Sequence, residues 1–273
     1  MHSKLKMGLN YVSNDTYHAD KEYLSSTPLK LLYDDPAQFY SDVILGNKTV
    51  MNSAALDVGS FVHTLILESH LVDKEYAFYP GSRKSGAAYE AFKEANPGKK
   101  ILNVQTAAAG RAFAASVKAR PEAQQFLSGG EAELSICTEI NGVKVKMRAD
   151  YINIEKGFIN DIKTTRYPSG ASNFKIALEE LSYDLSTGLY TMIAEQHFNK
   201  KFDFYWTVVS KEDVLTDVYK CSEATMAKGK QEVFEALETY KECMRTGLWV
   251  SKKEKEAIDN NTAVNAPYII QEI

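Results

Sequence analysis

The chain has 273 residues, of which 44% are hydrophobic and 25% are charged, values that are typical of a globular protein. Its net charge of −4 argues against a protein that coats nucleic acid by bulk electrostatics. An acidic enzyme can still concentrate basic groups in one groove, so a nuclease is not excluded. The sequence has no apolar run long enough to span a membrane, and its beginning lacks the apolar centre of a signal peptide. We therefore expect a cytoplasmic protein.

The N-terminal part of the chain, residues 1–50, is predicted to be a helical segment. A serine or threonine at positions 25–27 can cap a short helix there, with Pro28 at its first helical position. The sequence DDP at 34–36 then predicts the end of that helix, because proline cannot continue it.

Two longer helices are predicted before the middle of the chain. Residues 53–68, SAALDVGSFVHTLILE, carry apolar side chains at helical spacing and place Gly59 and His63 on one face. The alanine-rich stretch at 104–119 predicts the second helix. Between them, residues 80–100 are rich in glycine, proline and lysine, which indicates a basic loop around a short helix.

A strand-rich region follows the helices. ELSICTEI, VKVKMRADYINI and GFINDIKTT are predicted as three consecutive strands, joined by hairpin turns at 141–142 and 155–157. The later predicted elements are a helix at 173–198, strands at 202–210 and 214–220, and a helix at 222–245. This order predicts an α/β fold with a mixed central β-sheet flanked by helices, formed as one domain over residues 1–273 with a polar tail from 251.

Charged side chains alternate along the second and third of these strands. Because strand side chains point alternately to opposite faces, Asp150 shares a face with Lys146 and Arg148, and Asp161 shares a face with Lys163. The turn at 155–157 brings the two aspartates close together. Their side chains form either a solvated polar face or a metal site. Charges inside the otherwise apolar strand FINDI favour the metal site, because buried unpaired charges are costly.

Two neighbouring carboxylates repel each other unless a cation lies between them. Carboxylate oxygens are the natural ligands of Mg²⁺, and a bound Mg²⁺ can activate a water and polarise a phosphodiester. A lysine beside it can neutralise the charge that develops on the phosphate. Asp150, Asp161 and Lys163 therefore form a set that can cleave a phosphodiester, with a solvated strand face as the alternative. Glu133, on the strand before them, is a further catalytic candidate, with a solvated edge position as the alternative.

An ordered set of segments resembles the exonuclease VIII (RecE-type) branch of the PD-(D/E)xK nuclease superfamily, close to the RecB-like nucleases. The segments are YHADKEYLSSTPLKLLYDDPAQFY, GSFVHTLILE, KMRADYINIEKGFINDIKTT and YDLSTGLY, which together extend over most of the chain. The resemblance implies a nuclease sheet with Asp150, Asp161 and Lys163 at its catalytic centre. It also adds His63 to Asp150 and Asp161 as a metal ligand, with Mg²⁺ or Mn²⁺ as the cofactor.

The resemblance further implies what the protein acts on and with. The implied activity is a 5′→3′ exonuclease on double-stranded DNA that leaves 3′ single-stranded tails for recombination. The implied assembly is a homo-oligomeric ring, such as a tetramer, working beside a single-strand annealing recombinase in a bacterial or phage-infected cell. The sequence departs from the RecB-like motif Q-x-x-x-Y, because Ser186 stands where that motif has glutamine, while Tyr190 is present.

Several other residues are candidates for contacts with DNA. Arg148 and Lys146 can bind a phosphate or can balance the charge of the carboxylates. Arg83 and Lys84, in the basic loop, can line the DNA path or face solvent, and Tyr190 is the remaining candidate. Two other functions stay open at this point. The same metal core can serve an endonuclease or a single-strand nuclease, and Ser186 is compatible with a DNA-binding protein that has lost catalysis.

Overall fold

A computed structural model of the protein describes residues 4–47, 54–251 and 254–255. The strands of this part of the chain are β1 (Gly8–Asn10), β2 (Tyr76–Tyr79), β3 (Lys100–Asn103), β4 (Glu131–Ile140), β5 (Val143–Asn153), β6 (Phe158–Thr165), β7 (Asp203–Ser210) and β8 (Thr216–Lys220). Six of these strands form one sheet in the order β1-β4-β5-β6-β7-β8. Only the β6–β7 pair is parallel, so the sheet is mixed, as the sequence predicted.

The helices lie on both faces of this sheet. They are α1 (Asn14–Ala19), α2 (Ser26–Asp34), α3 (Pro36–Phe39), α4 (Ala54–Leu67), α5 (Val72–Glu75), α6 (Ala87–Glu94), α7 (Val104–Ala119), α8 (Pro121–Gln124), α9 (Ala171–Glu180), α10 (Tyr183–Phe198) and α11 (Glu223–Thr246), with a π-helix at Tyr40–Ile44 and a 3₁₀ turn at Ser69–Leu71. No helix among the described residues is long and apolar enough to cross a bilayer.

A hydrophobic core lies between the sheet and the helices on each of its two faces. On one face α10 packs against β4 and β5, and α2 and α11 pack against α10. On the other face α4 and α7 pack against the sheet. The neighbouring residues Val208 and Val209 of β7 are both buried but belong to different cores. This is the expected result of side-chain alternation in a strand covered on both faces.

Some predicted elements differ from the observed ones. The helix predicted at 173–198 is two helices, because Ser182 adopts a left-handed backbone conformation (φ 47°) between α9 and α10. Pro28 is the third residue of α2 rather than the first, since the helix begins at Ser26. Its missing N–H costs nothing there, because the first turn of a helix has no partners for its N–H groups. Strand β1 and the small parallel sheet of β2 and β3 are too short to show a periodic pattern.

Candidate active site

Strands β5 and β6 separate where the site begins. Their ladder contains only three residue pairs and ends at Tyr151 and Asn160. Beyond this pair, the Asp150 side chain replaces a backbone acceptor. Its Oδ2 accepts a hydrogen bond of 2.7 Å from the Ile162 backbone N–H. Extending the register by one residue places Asp161 opposite Asp150. The two aspartates thus line a fork between two strands, as the alternation pattern predicted.

Glu133 lies on the other side of Asp150. The β4–β5 ladder pairs Ala132 with Tyr151 and Leu134 with Ala149 but omits the pair between them, Glu133 and Asp150. Glu133 has φ +56°, a left-handed conformation that is uncommon for residues other than glycine. Such strained residues persist only where the surrounding structure holds them, often at functional sites.

His63 completes a group that can hold a metal ion. Its Nδ1 lies 3.4 Å from Oδ1 of Asp150. One ligand atom from each of His63, Glu133 and Asp150 lies within 4.8 Å of the others. Asp161 is not in this group, and its Oδ2 is paired with Nζ of Lys163 at 2.5 Å. The structure therefore brings Glu133 closer to the metal-binding group than the sequence suggested, and the assignment of Asp161 as a ligand stays a prediction.

Helix α4 carries His63 over the fork because two positions of the helix fit closely against its neighbours. A Cβ at Gly59 would meet Oγ1 of Thr164 on β6 at 3.6 Å, so the helix lies directly on that strand. Phe61 packs where α7 has Gly110, and a Cβ on that glycine would lie 2.7 Å from the Phe61 ring. His63 follows Gly59 by one helical turn, which places both on the face toward the sheet.

The acidic residues of the site have pKa values that move in opposite directions. Burial alone would raise the pKa of Asp150, but His63, Lys163 and the Ile162 amide together lower it. Burial and the charge of Asp150 raise the pKa of Glu133. Burial also raises the pKa of Asp161, and repulsion from Asp150 adds to it. The central carboxylate is therefore the one most strongly held in its charged form, and its two neighbours resist ionisation.

The two basic residues at the site stay charged because neighbouring carboxylates outweigh the effect of burial. Burial would lower the pKa of His63, but its attraction to Asp150 and their hydrogen bond raise it to about 9. Burial likewise opposes the charge of Lys163, and the carboxylates of Asp161 and Asp150 outweigh it and raise its pKa. Without a bound cation these two groups balance the carboxylates, and a cation that enters must compete with them.

Arg148 and Lys146 share the face of Asp150 but point into protein contacts. The Nε of Arg148 is ion-paired with Glu133, and its Nη1 donates to the backbone oxygen of Val12 at 2.8 Å and to Oγ of Ser135 at 3.2 Å. Lys146 is only 3% exposed. Its Nζ donates to the backbone oxygens of Tyr17 and Asp20, at 2.6 and 2.7 Å. The pairing of Arg148 with Glu133 agrees with charge balancing, whereas Lys146 is held by backbone oxygens. Phosphate binding by either residue stays a prediction.

Tyr190 lies close to the carboxylates, on the side opposite α4. Burial raises the pKa of its hydroxyl, with a further contribution from the charge of Asp161, and the hydroxyl hydrogen-bonds to Ser26 of α2. Ser186, one turn earlier on α10, is half-buried. Tyr190 thus lies near the carboxylates, as a DNA contact at the active site would require, but its hydroxyl is hydrogen-bonded to protein. Its contact with DNA stays a prediction.

The basic residues of the segment at 80–100 differ in their surroundings. Arg83 and Lys84 are exposed in the segment between β2 and α6. Lys99 donates to the backbone oxygen of Asp73 at 2.7 Å, and the Lys100 ammonium lies 5.6 Å from the centre of the Tyr76 ring. The surface position of the first two fits a DNA path, and their contact with DNA stays a prediction.

Two residues near the site were not singled out by sequence reasoning. Lys30 of α2 and Tyr183 of α10 both lie beside Lys163, and the Lys163 ammonium is 5.0 Å from the centre of the Tyr183 ring. Neither belongs to a recognisable spacing with the aspartates. The α9–α10 corner that brings Tyr183 to Lys163 depends on the left-handed Ser182, which the sequence pattern does not reveal.

The mixed sheet with two carboxylates and a lysine at a strand fork defines a nuclease-like fold of the PD-(D/E)xK class. A family model described as a PDDEXK-like domain of unknown function (DUF3799) matches residues 25–259. The chain belongs to this family. Nucleases of this class generally use divalent metals, and the His63, Glu133 and Asp150 group agrees with that use. Family and site together support a nuclease, which is a hydrolase of phosphodiester bonds.

A solved structure agrees with this fold. The chain is similar to a protein from Eubacterium rectale named "Putative exonuclease", with a TM-score of 0.65 and 16% identity over 95% of this chain and 97% of that one. A second structure, SSO0001, aligns with 64% of this chain and 85% of that one at 19% identity, but its TM-score of 0.28 is too low to carry weight. A search of curated proteins finds no match.

Proposed function

We propose that the protein is a Mg²⁺-dependent exonuclease that degrades double-stranded DNA from 5′ to 3′ and leaves 3′ single-stranded tails. The observation that carries the proposal is the juxtaposition of Glu133, Asp150 and Asp161 on three adjacent strands, with Lys163 ion-paired beside them. The preference for duplex ends and the polarity are supported by the sequence resemblance to exonuclease VIII-type enzymes.

The residues present suit a divalent cation. An imidazole nitrogen and carboxylate oxygens that converge within 4.8 Å form a set that Mg²⁺ or Mn²⁺ accepts. His63, Glu133 and Asp150, which form that set, would hold the cation, and we propose Asp161 as a further ligand on the strength of the sequence resemblance. When bound, such a cation lowers the pKa of a water and polarises the phosphodiester.

The other residues orient the reacting groups. The Ile162 amide fixes one oxygen of Asp150, which leaves its second oxygen directed to His63. Lys163 carries a full positive charge next to Asp161. Its ammonium can donate an N–H hydrogen bond to a phosphate oxygen as negative charge develops there. Arg83, Lys84 and Tyr190 are the candidates for contacts along the DNA.

The same proposal includes partners. We expect a homo-oligomer, such as a tetrameric ring that encloses the duplex, and a single-strand annealing recombinase that receives the 3′ tails, in the cytoplasm of a bacterium. These expectations rest on the sequence resemblance. Light scattering of the purified protein gives the oligomer mass, and a monomer at all concentrations would contradict the ring.

The decisive experiment compares two aspartates on linear duplex DNA labelled at its 5′ or 3′ end. Asp161→Asn keeps the shape of the side chain but removes its charge, so we expect it to abolish cleavage in Mg²⁺. The matched control is Asp203→Asn, because Asp203 pairs with Lys220 at 2.8 Å on an exposed part of the sheet and should be dispensable. Equal activity of Asp161→Asn and the wild type would show that the site is misassigned.

Closed circular DNA separates the proposal from its main alternative. An exonuclease leaves a closed circle intact, whereas an endonuclease nicks it. Release of the 5′ label as mononucleotides before the 3′ label establishes the polarity, and the opposite order contradicts it. No cleavage of any substrate, together with no Mn²⁺ binding by calorimetry, would indicate a DNA-binding protein without catalysis.

A further inference from the structure

Tyr183 occupies an unusual place at the start of α10. Its ring lies under two ammonium groups, with Nζ of Lys163 5.0 Å and Nζ of Lys30 5.3 Å from the ring centre. A cation over the face of a tyrosine is attracted by the negative potential of the ring. The ring is therefore a further group, besides the carboxylates, that attracts the Lys163 ammonium.

Within the described part of the chain, Lys163 makes two direct contacts, and the charge of Asp150 also attracts it. One is the ion pair of its ammonium with Asp161 at 2.5 Å, and the other is the contact with the Tyr183 ring. A lysine has four rotatable bonds and one compact charge, so a single ion pair does not fix its position. The ring supplies the second restraint. Together with the Asp161 ion pair, it keeps the Lys163 ammonium at the point where β5 and β6 separate.

The Tyr183 ring is itself supported by aromatic residues anchored in the sheet. It packs on Phe174 with ring centres 6.3 Å apart. Phe174 stacks on Tyr219 of β8 at 4.8 Å and meets Trp206 of β7 edge-on at 5.4 Å. Trp206 is the β7 partner of Asp161 in the parallel ladder. The support of the ring and the strand of the carboxylate that hold Lys163 thus meet at Trp206 of β7.

Lys30 fixes the corner from which Tyr183 projects. Its Nζ donates to the backbone oxygen of Leu181 at 2.7 Å, directly before the left-handed Ser182. Burial lowers the pKa of Lys30 to about 8, and the nearby positive charge of Lys163 contributes. A lysine is costly in such a place, so its contacts with the corner and the ring need to compensate.

We infer that Tyr183 is a positioning residue that holds the catalytic Lys163 through the face of its ring, and that Lys30 holds Tyr183 by fixing the α9–α10 corner. This inference rests on the proposed nuclease function, because it assigns a reaction to Lys163. It requires the aromatic ring of Tyr183 and not its hydroxyl. It also assigns a role to Lys30, a residue far from the aspartates in sequence.

Kinetics of linear duplex cleavage by the full chain test the ring. Tyr183→Leu should lower kcat by about tenfold with little change in KM, because a misplaced Lys163 affects the reaction rather than DNA binding. Tyr183→Phe keeps the ring and should restore kcat to within about twofold of the wild type. Lys30→Met should lower kcat by about threefold, since the corner loosens while the ring remains.

The control is Tyr167→Leu. Tyr167 also lies under a cation, with the Arg166 guanidinium 5.0 Å from its ring centre, but it does not contact Lys163. It should keep the kcat of the wild type. A loss in Tyr183→Phe equal to that in Tyr183→Leu would overturn the role of the ring, as would a wild-type kcat in Tyr183→Leu. A wild-type kcat in Lys30→Met would overturn the role of Lys30.

A second measurement does not depend on activity. Acetic anhydride labelling at one fixed pH, followed by mass spectrometry, reports how accessible the Lys163 amine is. We expect faster labelling of Lys163 in Tyr183→Leu and an unchanged rate in Tyr183→Phe and Tyr167→Leu. An unchanged rate in Tyr183→Leu would overturn the inference. An active Asp161→Asn would instead overturn the proposed function, so the two failures are distinguishable.

Discussion

Two acid–base pairs flank Asp150, and they are built differently. On the β4 side, Glu133 is paired with Arg148, whose remaining contacts are to a backbone oxygen and a serine hydroxyl. On the β6 side, Asp161 is paired with Lys163, whose other contact is an aromatic ring. The first pair depends on the several directed N–H donors of a planar guanidinium, and the second depends on the compact charge of an ammonium.

This difference separates a structural cation from a chemical one. Arg148 is fixed by several directional bonds and cannot leave Glu133 without leaving a buried carboxylate alone. Lys163 is held by forces that weaken gradually with distance, so its ammonium can move toward a phosphate. We therefore expect both sides to contribute to the stability of the site and the β6 side to determine the rate of the reaction.

The largest expected effect is on the β4 side. Arg148→Met leaves the Glu133 carboxylate buried without its partner, so the free energy of unfolding should fall by about 3–5 kcal/mol. Urea denaturation measures this change. The matched variant is Arg166→Met, which breaks a largely exposed pair with Glu180 and should change stability by less than about 1 kcal/mol. An equal loss of unfolding free energy in Arg148→Met and Arg166→Met would show that the Arg148–Glu133 pair is no more important for stability than an exposed pair.

The next effect is on the β6 side. Lys163→Met should lower kcat by about a hundredfold or more, because the charge that stabilises the developing negative charge is lost. Its stability should fall as well, because the variant leaves the buried Asp161 carboxylate without its partner. Lys220→Met, which breaks an exposed pair with Asp203, serves as the control and should keep the wild-type rate. Nuclease assays and thermal melts on the same samples provide both measurements.

Lys146 tests whether the basic face of β5 contacts DNA. Lys146→Met leaves two backbone oxygens without their donor, so we expect a loss of stability of about 2 kcal/mol. The Kd for duplex DNA in Ca²⁺, measured by fluorescence anisotropy, should stay within about twofold of the wild type. A weaker Kd with normal stability would instead show that the residue binds phosphate.

The smallest effect concerns pH. In the protein without metal, the raised pKa of His63 means that its pairing with Asp150 stabilises the fold fully below pH 6.5 and is lost as pH rises through about 9. A cation must displace that proton. Apparent Mn²⁺ affinity should therefore increase about tenfold for each pH unit up to that pKa, measured by calorimetry. His63→Asn should flatten this dependence, and an equal slope in both proteins would show that another group releases the proton.

Much of the site could be predicted because it depends on strand alternation. The spacing of Asp161 and Lys163, and the hairpin turn that brings Asp150 beside them, follow directly from a period of two residues. The helix that carries His63 also followed from its apolar spacing, and the structure confirms it as α4. The mixed sheet flanked by helices is likewise confirmed.

The remaining features depend on contacts between segments far apart in sequence. The left-handed conformation of Glu133 leaves no mark on the strand pattern, so its approach to His63 was not foreseen. The sequence left phosphate binding and charge balancing open for the basic row of β5, because it does not reveal that the N-terminal segment covers this row. Lys146 is satisfied by backbone oxygens more than a hundred residues away.

The bond from the Ile162 amide to Asp150 has a practical consequence. A side chain there replaces a rung of the β5–β6 ladder, so the exchange of that one amide proton with solvent depends on how the carboxylate is engaged. Hydrogen exchange or the NMR shift of the Ile162 amide can then follow ligand entry at the fork in the unmodified protein. It does so in the absence of DNA and of turnover, which separates occupancy of the site from catalysis.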